Sequence, residues 1–176
     1  MRRNIKKYLI VDGYNIINAW EELREISITD LDHSREKLID RIIEYSEYTG
    51  RKGIVVFDAY NVKNSKENTE RRKNVIIIYT KEHQTADSYI EWFMSTLSKY
   101  DDVKVATNDY AEQQIVLGKG ATRISSRELK IELDRIKSKI KEENKSKKIQ
   151  RNWLEERLDT DTLSKLENIR RNRWNY

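Results

Sequence analysis

Five acidic side chains stand where a carboxylate needs a reason: Asp12, Asp58, Asp87, Glu91 and Asp109. The apolar run from Tyr8 to Val11 stops on Asp12-Gly13, and the run from Ile54 to Phe57 stops on Asp58. The alternating segment VKVAT (103–107) leads into Asn108-Asp109. A carboxylate at the end of a buried strand is costly unless something pairs with it. Asp87 comes in the first turn of an expected helix, and Glu91, four residues on, projects from the same helical face. Asn15, three past Asp12, could orient a carboxylate or hold a bound water through its amide.

Each acid has an ordinary explanation: Asp-Gly is a frequent turn pair, Asp87 suits the helix dipole, and Asp109 could be an N-cap. Gathered in one place they would repel one another and raise their own pKa values, a state a hard cation relieves. All-oxygen ligation points to Mg²⁺ or Mn²⁺, and the absence of a His/Cys set argues against zinc. His33 and His83 are isolated and read as surface or supporting residues. A metal on carboxylates at a sheet edge serves phosphoryl chemistry. With no Lys or His placed as a general base, hydrolysis by a metal-activated water is the economical mechanism.

The elements that must position these acids follow from hydrophobic patterning. Lys7–Val11, Ile54–Phe57 and Val75–Tyr79 are short continuous apolar runs, as strands covered on both faces should be. After an Asp12–Asn15 turn, Ile16–Leu23 reads as a short helix. Thr29-Asp30 caps a longer one reaching about Tyr48, with Leu38, Ile39, Ile42 and Ile43 at helical spacing. Residues 61–73 are polar and basic and read as an exposed loop. Thr85 caps a helix in which Ile90, Phe93, Met94 and Leu97 form one stripe. Residues 103–107 read as a strand nearer the sheet edge, followed by a short helix over 110–117. Residues 118–125 read as a Gly-punctuated connection. Strands alternating with helices imply an α/β fold with a central, mostly parallel sheet. In such a sheet the strand carboxyl ends share one edge, so Asp12, Asp58 and Asp109 converge there, joined by Asp87.

Composition sets the outer limits. The 176 residues suffice for one domain and an appendage, but 37% apolar against 37% charged implies a core confined to part of the chain. No cysteine is present, which excludes disulfides, Cys-zinc sites and thiol catalysis. No apolar stretch approaches a membrane span and MRRNIKK lacks a signal-peptide core, so a cytoplasmic address is expected. Residues 1–124 carry 20 basic and 20 acidic residues; residues 125–176 carry 15 and 10. The expected division is therefore a neutral core, 1–124, and a helical basic C-terminal extension, 125–176. The extension opens with a Ser125/Glu128 capping box and a seam of Leu129, Leu133, Ile136 and Ile140. It reads either as a polyanion binder or as a solvated, charge-laced helix pair. Trp153 reads as a packing anchor or, with Trp174 and Tyr176, as a stacking surface for bases.

The segments VDGYN (11–15), VVFDA (55–59), Thr85-Ala86-Asp87 with Glu91, Ala106-Thr107-Asn108-Asp109-Tyr110 and GKGATRISSREL (118–129) resemble the YacP-like branch of the NYN domains, in the PIN-like nuclease superfamily. The resemblance runs over about residues 5–140. It implies a PIN-like, Rossmann-like three-layer domain acting as a metal-dependent endoribonuclease, with Asp12, Asp87 and Asp109 matching the principal, metal-binding acids. Asp58 and Asn15 match further site positions, and Gly13, Glu91 and Asn108 would support them; relatives often carry serine where Asn108 stands. It also implies action on mRNA at the translating ribosome, with Arg71, Arg72, Lys119, Arg123 and Arg127 as basic residues for RNA or ribosome contact. No membrane or small-molecule cofactor is implied. The alternative is a non-catalytic RNA- or ribosome-binding module on a PIN-like fold. A haloacid-dehalogenase-type phosphatase would want an Asp at position 14, which is Tyr, and a receiver domain wants an adjacent acidic pair that residues 10–14 lack.

Overall fold

The computed structural model describes residues 5–58, 68–81, 83–107 and 120–155, with Thr162 and Asn168, and the backbone alone over 147–155. The strands are β1 (Lys7–Asp12), β2 (Lys52–Phe57), β3 (Asn68–Arg72), β4 (Val75–Tyr79), β5 (Asp102–Ala106) and β6 (Thr122–Ile124). The helices are α1 (Gly13–Ala19), α2 (Glu21–Thr29), α3 (Leu31–Thr49), α4 (Ala86–Thr96) and α5 (Ser126–Glu155). The strands form one sheet in the order β3-β4-β2-β1-β5-β6. Every pairing is parallel except β3 with β4. The expected mostly parallel α/β architecture is what the chain forms.

Alternation along the strands sorts the two faces. Tyr8 and Ile10 of β1, Ile54 and Val56 of β2, Ile78 of β4, and Val103 and Val105 of β5 form one core with Ala86, Tyr89, Ile90 and Met94 of α4. The opposite face is covered by α1–α3. There a Cβ on Gly53 would lie 2.8 Å from Ser46 Oγ and 2.9 Å from Ile42 Cγ2, so α3 runs directly over β2. Leu38, Ile39, Ile42 and Tyr45 of α3 are fully buried, as their spacing predicts, whereas Ile43 is half-buried. The Ser125/Glu128 capping box forms at the start of α5, with reciprocal bonds of 2.7 and 3.2 Å.

Three local readings change. The first helix starts at Gly13 rather than Ile16, because the Asp12 carboxylate caps it by accepting the Asn15 N–H at 3.1 Å. It then breaks at Trp20, and α2 begins anew. Residues 68–72, within the expected loop, are instead β3, turned onto β4 through Lys73-Asn74. Its sequence, NTERR, is that of a charged edge strand, which carries no apolar alternation to read. Thr122–Ile124, within the expected connection, forms the other edge strand, only three residues long.

The first compact unit runs Met1–Lys137 and the second Ser138–Tyr176. The first thus extends past the charge step at 124/125, since Leu129, Leu133 and Ile136 of α5 are buried in it. Glu132, on the same helix, accepts from Lys104 Nζ at 2.8 Å and from Tyr45 OH at 2.8 Å, joining α5 to β5 and α3. Burial alone would raise this carboxyl, but the two hydrogen bonds together with the charges of Lys104 and Arg51 outweigh it and hold it below its ordinary value. Glu132→Ala should cost roughly 2 kcal/mol, because it strands the phenol and the ammonium together. Urea denaturation of the variant checks this, and an unchanged midpoint would refute it.

Candidate active site

The sheet order places β1 at the switch point. The chain leaves β1 toward β2 and β4 on one side and returns to β5 and β6 on the other. The crevice beyond the carboxyl ends at such a reversal is where open α/β sheets bind ligands. Asp12 ends β1 there. It is in phase with Tyr8 and Ile10, so it lies on the face covered by α4. Asp12 pairs with Val56 in the β1–β2 register, and Asp58 lies two positions beyond Val56. Asp87 comes to the same edge because α4 follows β4 and starts at its carboxyl end, with Thr85 capping by accepting the Ser88 N–H at 3.2 Å.

The electrostatics show that these acids share a field. The Asp12 carboxyl is pushed up from 3.8 to about 6. Burial is the main cause. The N–H groups of Asn15 and Tyr14 pull it down, while Asp87 and, less strongly, Asp58 push it up. Asp12 is half-buried, Asp58 likewise, and Asp87 is exposed, so the group opens to solvent on the α4 side. Glu91 is exposed one turn further along α4. Asp109, Asn108 and Lys119 lie outside the described residues. Among the described residues no three His, Cys, Asp or Glu side chains come close enough to hold a metal ion. What the described site offers is two or three carboxylates in mutual repulsion, an oxygen-only donor set that suits a hard divalent cation in kind.

Gly13 serves the site, though not by turning the chain tightly. It is the first residue of α1, and a Cβ there would lie 2.2 Å from Cε1 of the fully buried Phe57 ring. The glycine lets the chain leaving Asp12 press onto β2. Of the basic residues expected to meet RNA, Arg123 near the end of β6 and Arg127 in the first turn of α5 are exposed beside the carboxyl edge. Arg71 and Arg72 pair with Ile76 and Val75, at the start of β4, which places them about 10 and about 13 Å from that edge by strand rise. Arg72 is moreover held by Glu36 and Glu70, with Nη2 to Glu36 Oε1 at 3.0 Å.

One charged residue at the edge was not singled out by the sequence. Arg35, in the first turns of α3, lies over the rings of Tyr14, Phe57 and Tyr79, with Cζ 5.2, 5.8 and 5.9 Å from their centroids. Its Nη2 donates to Tyr14 OH and its Nη1 to Asp32. The available signal was positional. Asp30 caps α3 at the carboxyl edge, so a cation five residues later had to fall near the strand ends.

The mostly parallel sheet with Asp12 at its switch point is an α/β domain, and the family match makes its fold nuclease-type: the chain belongs to the YacP-like NYN domain family, which matches residues 9–171. It is similar to the uncharacterized protein YacP of Bacillus subtilis strain 168, 43% identical over 134 residues, covering 75% of this chain and 78% of that protein. It also resembles the crystal structure of Rae1 (YacP) from Bacillus subtilis, with a TM-score of 0.71 and 36% identity over 94% of this chain and 95% of that one. A mutant form of the same protein aligns with a TM-score of 0.67 and 39% identity, over 82% and 83% of the two chains. Among the described residues no helix is long and apolar enough to cross a membrane.

Proposed function

We propose that this protein is a divalent-metal-dependent endoribonuclease of the cytoplasm that cuts mRNA in association with the translating ribosome. The observation that carries the reading is Asp12, a half-buried acid at the switch point of a NYN-family sheet, whose pKa is raised by burial and by two further carboxylates. Asp12 and Asp87, completed by Asp109, would hold Mg²⁺ or Mn²⁺, with Asp58 and Asn15 beside them. Bound there, the ion supplies a nucleophile from water near neutral pH and offsets charge on the phosphate. The chain's own residues prepare the place. The Asn15 N–H fixes one Asp12 oxygen, partial burial strips some of its hydration, and Asp87 and Asp58 keep the field negative so that a cation is favoured. Arg123 and Arg127 supply positive charge at the flank where a polyanion would approach.

Calorimetric titration with Mn²⁺ tests the metal. Binding well below millimolar concentration is expected in the wild type, with loss of the heat in Asp87→Asn. No heat at millimolar Mn²⁺ in the wild type would favour a non-catalytic RNA- or ribosome-binding module.

A further inference from the structure

We propose that Arg35 is a phosphate-anchoring residue for the RNA strand, set across the sheet edge from the acids; this rests on the nuclease reading above. The strands' alternation gives the geometry. Asp12 is in phase with the α4 face, whereas Phe57, two positions on from Val55, faces α3. Tyr79 stacks on Phe57 with centroids 5.5 Å apart and planes 20° apart, and Tyr14 meets Phe57 edge-on at 5.3 Å. These rings line the carboxyl ends of β2 and β4, and the Arg35 guanidinium lies on them. A strand crossing the edge would pass from the acids on one side to this cation on the other.

The other internal arginines show why this one is different. Arg51 grips both oxygens of Asp102, at 3.0 and 2.6 Å, and Arg72 is met by Glu36 and Glu70. Those are closed pairs that fasten elements together. Arg35 is only 19% exposed, yet among the described residues its one carboxylate partner is Asp32, at a single oxygen, and Asp32 is 85% exposed. Its Nε is buried with no hydrogen-bond partner among the described residues. Burial disfavours the guanidinium's charge, but the contacts with the Tyr14 hydroxyl and with Asp32 outweigh it, so Arg35 keeps its charge in this half-buried place. Three aromatic rings fix the fork in place, and one of them, Tyr14, two residues after Asp12, also accepts a hydrogen bond from Nη2. The arrangement is a rigid guanidinium with a single carboxylate partner among the described residues, set beside a site for a polyanion, and guanidinium is the side chain that matches phosphate geometry.

The test measures binding of a short single-stranded RNA to the full-length chain over a range of salt, in the Asp12→Asn background so that turnover does not intrude. Arg35→Gln should weaken binding about tenfold and flatten the salt dependence of log Kd by about 0.7, the value for one phosphate on a single strand. Arg35→Lys should keep that slope. Asp32→Asn, at an exposed position, should tighten binding about threefold by freeing the guanidinium. Asp40→Asn, exposed further along α3, should leave it unchanged. An unaltered slope in Arg35→Gln would overturn the proposal. Where that variant does not fold, Asp32→Asn binding no tighter than Asp40→Asn would do the same. Failure of the nuclease reading is read separately, as wild type that cuts no RNA with Mn²⁺ while the slope still changes.

Discussion

Asp12→Asn is expected to lower RNA cleavage on the order of a thousandfold or more, while the folded protein becomes more stable at neutral pH. The two effects have one cause. In the metal-free wild type the Asp12 carboxyl has a pKa of about 6 in place of 3.8, so the native state holds this proton more tightly than the unfolded chain does. Stability therefore falls as pH rises from about 4 to about 6 and levels off above, the charged form being the disfavoured one. Each unit is worth about 1.4 kcal/mol, so the ceiling is roughly 3 kcal/mol, with solvent access reducing it. Asn keeps the side-chain oxygen that caps α1 and is as good an N-cap as Asp, so the helix start survives. In chelator, the variant should exceed wild type by roughly 1–3 kcal/mol at pH 7 and match it near pH 4. Parallel stability curves at both pH values would show that Asp12 does not sit in the shared field described.

Gly13→Ala is the second large effect, and it falls on the fold. Helix propensity alone would favour alanine by up to about 1 kcal/mol. Against that, the added methyl would sit 2.2 and 2.4 Å from two carbons of the Phe57 ring. The ring is fully buried, stacked on Tyr79 and edge-on to Tyr14, so it has no room to retreat. Overpacking should win, with a net loss of roughly 3 kcal/mol seen as a lowered denaturation midpoint. Phe57→Leu in the same chain should restore at least half of it by giving the methyl space. Wild-type stability in Gly13→Ala would mean that β1 and β2 part more readily than their packing implies.

These cases show what the sequence could and could not convey. The placement of Asp12 and Asp58 was legible because each ends a run of apolar residues, and a parallel sheet carries such runs to one edge whatever their separation in the chain; Asp109 lies outside the described residues. Asp87 was legible because Thr85 is a good cap, and a helix after β4 must start at that edge. β3 was hidden because an edge strand of charged residues has the composition of a loop. Gly13 was read as a turn former since Asp-Gly usually is one, and only the Phe57 ring beneath it reveals the steric reason. The Asp30 cap could place Arg35 near the strand ends, but nothing told it from a solvated arginine there until three rings, from α1, β2 and β4, were placed around it. Its environment is assembled from distant segments, and that information is absent from local spacing.

The central claim is that the acids at the switch point make this chain an RNA-cutting enzyme. It is tested most directly by mapping the 5′ ends produced on an mRNA carried by translating ribosomes, with wild type and Asp12→Asn, in Mn²⁺ and in chelator. Wild type with Mn²⁺ should give discrete new ends, and chelator or the variant should give none. Equal cleavage by Asp12→Asn, or ends that persist in chelator, would contradict it.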